Sequence, residues 1–205
     1  FILLTAIVLW AAHLALNMFM IGDYTDIQKN IPAFLPASEP LLHTPPQQNN
    51  QTTALPFLFR RYTLTPVATY AMTARVLGVE YYFLDHLSSL SPVDLALGWQ
   101  EMGDLSTLSQ ISFSQGARFY TWRTSDWPLE RHEIETMSAN THIIPATPDI
   151  ERRVRKLTTG DVVTLSGYLV NATGIDGFQW NTSTSRTDTG MGACEILFVQ
   201  NIAVR

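Results

Sequence analysis

The chain has 205 residues, 46% of them apolar and 15% charged, with a formal net charge of −5, which is room for one domain of ordinary size with a sizeable core. The acidic balance argues against a nucleic-acid partner, because phosphate binding is driven by Lys and Arg neutralising the backbone. A lone cysteine, Cys194, excludes an intrachain disulfide framework and any Cys-rich zinc site.

The chain opens with "FILLTAIVLWAAHLALNMFMI", twenty-one residues without an acidic, Lys or Arg side chain. At about 1.5 Å per residue this spans roughly 30 Å, the hydrocarbon thickness of a bilayer. It exceeds the apolar run of a signal peptide and lacks a small-residue cleavage pattern, so it predicts a retained transmembrane helix over residues 1–22. Asp23 and Asp26 precede the first lysine, Lys29. That weak basic flank places the main body outside the cytoplasm, which for a bacterial inner-membrane protein is the periplasm. Trp10, His13 and Asn17 fall on one stripe of this helix. Polar groups at membrane depth face protein, a cavity or a cofactor, so the stripe predicts docking onto other membrane helices. A second reading makes His13 an axial ligand of a haem or of a bacteriochlorophyll magnesium.

Residues 23–61 read as a Pro-rich linker or strap. Residues 31–56 hold six prolines around a Gln/Asn cluster, a composition that favours extended backbone. Phe34, Leu35, Leu41 and Leu42 suit a strap laid along a partner.

From Tyr62 the pattern becomes strand-like. "TYAMTARVLGVEYYF" alternates apolar and polar side chains, and further strands are predicted at 116–124, 132–144, 161–172, 177–182 and 193–204. Ile175-Asp176-Gly177 marks a hairpin turn. In "SPVDLALGWQEM", Ser91 as N-cap, Pro92 at the first helical position and Asp94 in the first turn predict a helix. "DLSTLSQI" (104–111) predicts a second helix, and "PDIERRVRKL" (148–157), with Ile150, Val154 and Leu157 on one face, a third. The expected fold is mainly β with short helices: a small OB-like or SH3-like barrel over residues 62–205, preceded by one transmembrane helix.

The stretches "LSPVDLALGW", "SANTHIIPA", "GDVVTLSGYLV" and "TDTGMGACEILFV" resemble the motifs of a family of uncharacterised bacterial proteins with an amino-terminal membrane segment. The resemblance covers residues 62 to about 200. It implies a bacterial source and carries no assigned activity.

Candidate chemistry centres on Cys194 and His142. The order His142, Cys194, Arg205 is that of the sortase transpeptidases, with the cysteine as nucleophile, the histidine as acid or base and the arginine for the oxyanion. Against this, "TGMGACEILFV" places Cys194 within a closing strand, and buried cysteine is commonly an inert small hydrophobe. "RFYTWRTSDWPLERHE" interleaves Arg118 and Arg123 with aromatics, a composition of protein interfaces. "TSTSRTDTGMG" carries one carboxylate, too few for a calcium loop, and predicts a rigid hairpin loop with Arg186 and Asp188 paired locally. No phosphate loop or metal-ligand spacing stands out.

The sequence therefore points to a non-catalytic, single-pass membrane accessory or scaffolding subunit of a larger complex, such as a photosynthetic or respiratory one. Its expected contacts are Trp10, His13, Asn17, Phe34, Leu35, Trp99, Trp122 and Trp127. A sortase-like cysteine transpeptidase or peptidase using Cys194, His142 and Arg205 is the alternative.

Overall fold

The computed structural model describes residues 31–190 and 192–205. Its centre is β3, Tyr62–Tyr81, twenty residues long. Its first half alternates strictly between buried and more open positions, as a strand does when one face lies on a core. Register shifts between Pro66 and Ala68 and between Val76 and Gly78 bend it, since each bulge adds local twist. The bent strand can thereby serve two neighbours.

Those neighbours are β4 (Val93–Gly98) and β8 (Val162–Gly174). β4 continues to β7 (Ser138–Pro145), β7 pairs in parallel with β10 (Glu195–Val204), and β10 pairs antiparallel with β8, which returns to β3. The pairings thus run in a ring of five strands. Leu64, Leu95, Leu97, Ile143, Leu165, Leu169, Leu197 and Phe198 belong to its buried core. The helix α3, Pro148–Val154, joins β7 to β8. Thr147 caps it by accepting the Ile150 N–H at 3.2 Å and Pro148 occupies its first turn, while Ile150 and Val154 are buried, as their spacing predicts.

The Pro-rich stretch is laid on its own domain. β1 (Gln47–Asn49) and β2 (Phe57–Phe59) both pair with the edge of β3 that β4 leaves open. Two short strands so placed cover an edge that would otherwise invite foreign pairing. Pro40 is buried, its carbonyl accepting from Thr73 Oγ1 at 2.7 Å. Residues 47–49 and 57–59 thus pair into the sheet, so this part of the stretch lies as a strap on its own domain.

The segment expected as a helix from Ser91 is a strand instead. All six residues of β4 are buried between β3 and β7, and cross-strand pairing on both edges outweighs a local capping signal. Only Gln100–Gly103 turns as a 3-10 helix. The stretch 132–144 also divides: Arg131–Thr136 forms the helix α2, closed by a reciprocal Glu130–Glu133 capping box, and β7 follows. Among the other elements, α1 is Leu105–Leu108, β5 (Ile111–Gly116) and β6 (Phe119–Thr124) form a separate hairpin, and β9 is Gln179–Trp180. The β8–β9 turn falls at the expected Ile-Asp-Gly, with Gly177 at φ 84°.

The predicted transmembrane helix lies outside the described residues. Among those described, no helix is long and apolar enough to cross a membrane.

Candidate functional site

On β4, β7 and β10 the register sets Asp94 opposite His142, Ala96 opposite Asn140, and Ile196 opposite His142. Directly paired residues point to the same side of a sheet, so Asp94, Asn140 and His142 share one face. The β5–β6 hairpin lies over it: Gln115 Nε2 donates to Asn140 Oδ1 at 3.0 Å, and the Tyr120 and Ser138 hydroxyls meet at 2.9 Å. Trp180 covers the His142 ring at 4.6 Å between centroids.

Arg118, at the tip of the hairpin, ties this face together. Ala117 and Arg118 form its two-residue turn at φ 49° and 65°, the left-handed region usually left to Gly or Asn. Such strain persists where surroundings over-determine the backbone, and here they do. The Arg118 N–H donates to Tyr82 Oη at 2.9 Å, and its carbonyl accepts from Asn140 Nδ2 at 3.2 Å and from Cys194 Sγ at 3.9 Å. Its guanidinium donates to both Asp85 oxygens at 2.8 and 2.9 Å, to the Ser91 carbonyl at 3.2 Å and to Asp94 Oδ1 at 3.4 Å. It also stacks 4.0 Å from the Tyr82 ring centroid and 5.5 Å from that of Trp180, arrangements that favour a cation.

Asp94 is fully buried, so its charge needs partners. Arg118 supplies the full charge, Asn140 Nδ2 stands at 3.4 Å, and His142 Nδ1 lies 2.9 Å from Oδ1 without the alignment of a hydrogen bond. Burial, and then the Asp94 charge, push the Tyr82 hydroxyl up from its ordinary range. Burial alone would raise Asp85, but the hydrogen bonds and charge of Arg118 hold its carboxyl lower.

Beside this cluster a cavity of about 810 Å³ opens between the β5–β6 hairpin, α2 and the segment 185–195. Tyr120, Trp122 and Trp127 are among its walls, the two tryptophans edge to face at 5.9 Å and 90°. Arg186, Cys194 and Glu195 also line it. Glu195 is fully buried and paired with Arg186, whose Nη1 also donates to Tyr70 Oη at 3.2 Å. Burial pushes the Glu195 carboxyl up to about 7 against the opposing pull of Arg186, and its Oε2 has no hydrogen-bond partner. The cavity thus combines aromatic faces with a buried carboxylate of open valence, a composition suited to ligand or side-chain recognition.

The sortase-like trio is not assembled. Cys194 immediately precedes β10, half-buried at its mouth rather than inside the strand as expected. Burial pushes its thiol up to about 12, opposite to what a nucleophilic thiolate needs. Arg205 follows the far end of the same ten-residue strand and pairs with Glu39. At about 3.3 Å per residue the two are on the order of 30 Å apart. His142 is turned toward Asp94 and Trp180.

The expected partner contacts are also redistributed. Phe34 lies against its own domain: its N–H donates to Gln200 Oε1 at 2.9 Å, its carbonyl accepts from Asn201 at 3.1 Å, and its ring packs on Tyr168 at 6.0 Å. Trp99 is 2% exposed and belongs to the core, and it also lines the cavity. Leu35 is exposed, while Trp122 and Trp127 stand at the cavity. Trp10, His13 and Asn17, and with them the tetrapyrrole reading, lie outside the described residues. Arg186 pairs with buried Glu195 rather than with Asp188, which accepts from Ser183 Oγ at 2.7 Å. Among the described residues no three metal-ligating side chains converge.

Asp94 and Arg118 are missed from the sequence for different reasons. Asp94 is hidden by the false helix start, whereas an acid within the apolar run "VDLALG" was the available signal. Arg118 is read as an interface residue, and nothing local announces a non-Gly left-handed turn. Comparison with known proteins adds no relative: no family model, curated protein or solved structure matches the chain.

Proposed function

We propose that the chain is a non-catalytic, single-pass accessory subunit of a bacterial membrane complex. In this reading its five-stranded ring is an OB-like barrel on the periplasmic side, whose hairpin-covered face receives a partner. The strand order and, among the described residues, the single parallel pairing, β7 with β10, support the barrel. The observation that carries the function is the aromatic cavity beside Trp122 and Trp127, the latter 55% exposed. Aromatic anchors at the rim of a formed pocket are the usual energetic centre of an interface. A transpeptidase reading finds no support, because Cys194 is held in its thiol form and Arg205 stands at the opposite end of β10.

The test is extraction of the chain from its native membranes in mild detergent, for the unaltered protein and for Trp122→Ala/Trp127→Ala. Co-purification of integral membrane proteins with the first and their loss from the second is expected. A free monomer in both sinks the proposal.

A further inference from the structure

Cations are unevenly distributed over this acidic protein. Of its thirteen Lys and Arg, Arg152, Arg153, Arg155 and Lys156 lie on or just after α3, and Arg60 and Arg61 form the β2–β3 turn. The two groups adjoin: Arg60 Nη2 is 3.4 Å from Glu151 Oε2, and Arg155 bonds the same carboxylate at 2.9 Å. On α3 the carboxylates are Asp149, paired with Arg152 at 3.0 Å, and Glu151, paired with Arg60 and Arg155, so the cations of α3 and the β2–β3 turn outnumber the carboxylates of the helix in a chain of net charge −5.

The same end carries the most exposed apolar side chains of the loop between β3 and β4. Phe83 is 72% and Leu84 98% exposed. Arg155 lies 5.6 Å from the Phe83 ring, and Tyr81 Oη donates to the Arg155 and Leu157 carbonyls at 3.2 and 3.1 Å, fixing the loop beside the helix. Leu58, 65% exposed, precedes the β2–β3 turn. The loop is anchored from behind, because the Asp85 carboxylate next to Leu84 is clamped by Arg118 and Tyr62 Oη donates to the His86 carbonyl at 3.1 Å. A rigid loop that holds Phe and Leu in water, ringed by Arg and Lys, gains nothing within the domain from that exposure.

We propose that this end of the domain, centred on Phe83, Leu84 and the basic face of α3, rests on an anionic lipid surface. Phe83 and Leu84 enter the headgroup region, and Arg152, Arg153 and Lys156 meet lipid phosphates. Apolar side chains combined with flanking cations are the two ingredients of interfacial membrane binding. Phe83 and Leu84 line neither described cavity and stand 72% and 98% exposed beside these cations, as side chains that enter a headgroup layer do.

The test uses the full chain, on a Cys194→Ser background, with a polarity-sensitive fluorophore attached at Leu84→Cys. A second labelled protein carries Leu35→Cys, an exposed position on the strap. Each is mixed with vesicles of phosphatidylcholine alone or of phosphatidylcholine with phosphatidylglycerol. A blue shift at position 84 is expected only with the anionic vesicles, with none at 35. Arg152→Glu/Arg153→Glu/Lys156→Glu should weaken the response at least about ten-fold, as should high salt, since each basic residue near such a surface contributes several-fold in affinity. No shift at 84, an equal shift with both lipids, or an equal shift at 35 overturns the proposal. The salt arm does not depend on the folding of the charge-reversed variant. Because position 35 reports any attachment made through the amino-terminal segment, a failure here is separable from failure of the membrane-subunit reading.

Discussion

Arg118 Nη2 donates to both carboxylate oxygens of Asp85, at 2.8 and 2.9 Å, and so joins the tip of one hairpin to the loop that follows the longest strand. The same guanidinium is the full positive charge beside fully buried Asp94. The two carboxylates should therefore respond differently to its loss.

Arg118→Ala leaves the Asp94 charge buried with only Asn140 and His142 near it, and removing one partner of a buried pair costs about 3–5 kcal/mol. Urea unfolding should show a loss of that order. Asp85→Asn, at a carboxylate whose side chain is 34% exposed, should cost below about 1 kcal/mol. Equal losses in the two variants would contradict the division of roles.

Glu195 gives the domain a pH signature. Its carboxyl titrates at about 7 in the fold against 4.5 in the unfolded chain, so between these values the folded state binds more protons. Its contribution to stability is fully present below pH 4.5 and is lost as pH rises through about 7. Glu195→Gln cannot titrate, and should flatten the fall in urea midpoint across that window. A variant that keeps the unaltered slope shows that another group is responsible.

Cys194 should behave as a small hydrophobe. With its thiol pushed up to about 12 by burial, alkylation of native protein by iodoacetamide at pH 8 should run at least about a hundred-fold slower than in denaturant, because the thiolate is the reactive form. Cys194→Ser should leave the cavity intact. Rapid native alkylation would reopen the nucleophile reading.

Gly167 sits where β8 passes a bulge of β10, and a Cβ there would meet the Phe198 carbonyl oxygen at 1.9 Å. Backbone cannot yield as a side chain does, so Gly167→Ala should destabilise by several kcal/mol. A melting temperature within a few degrees of the unaltered protein would count against this packing.

Phe34 tests the strap. Phe34→Ala removes the packing on Tyr168 while leaving the main-chain bonds to Gln200 and Asn201. A loss of about 1–2 kcal/mol, smaller than for a fully buried ring, should come with faster proteolysis in residues 31–46. Unchanged cleavage would mean that the side chain does not hold the strap.

Residue order by itself determined the β-rich class, the long alternating strand from Tyr62, the amphipathic helix from Pro148 and the turn at Ile175-Asp176-Gly177, since each rests on spacing and on backbone preference within a few residues. It misled at Ser91–Gly98, where a sound helix start is overridden by pairing on both edges. Only the tertiary structure decided that the prolines of the strap feed two edge strands, that Trp99, Trp122 and Trp127 meet at one cavity, and that Cys194 and Arg205 stand at opposite ends of β10. It alone brought Asp94, Arg118 and His142 to one face of the ring, and set Glu195 against Arg186 on the other. Burial and charge pairing are properties of residues remote in sequence, and no local pattern encodes which distant side chain will supply the partner.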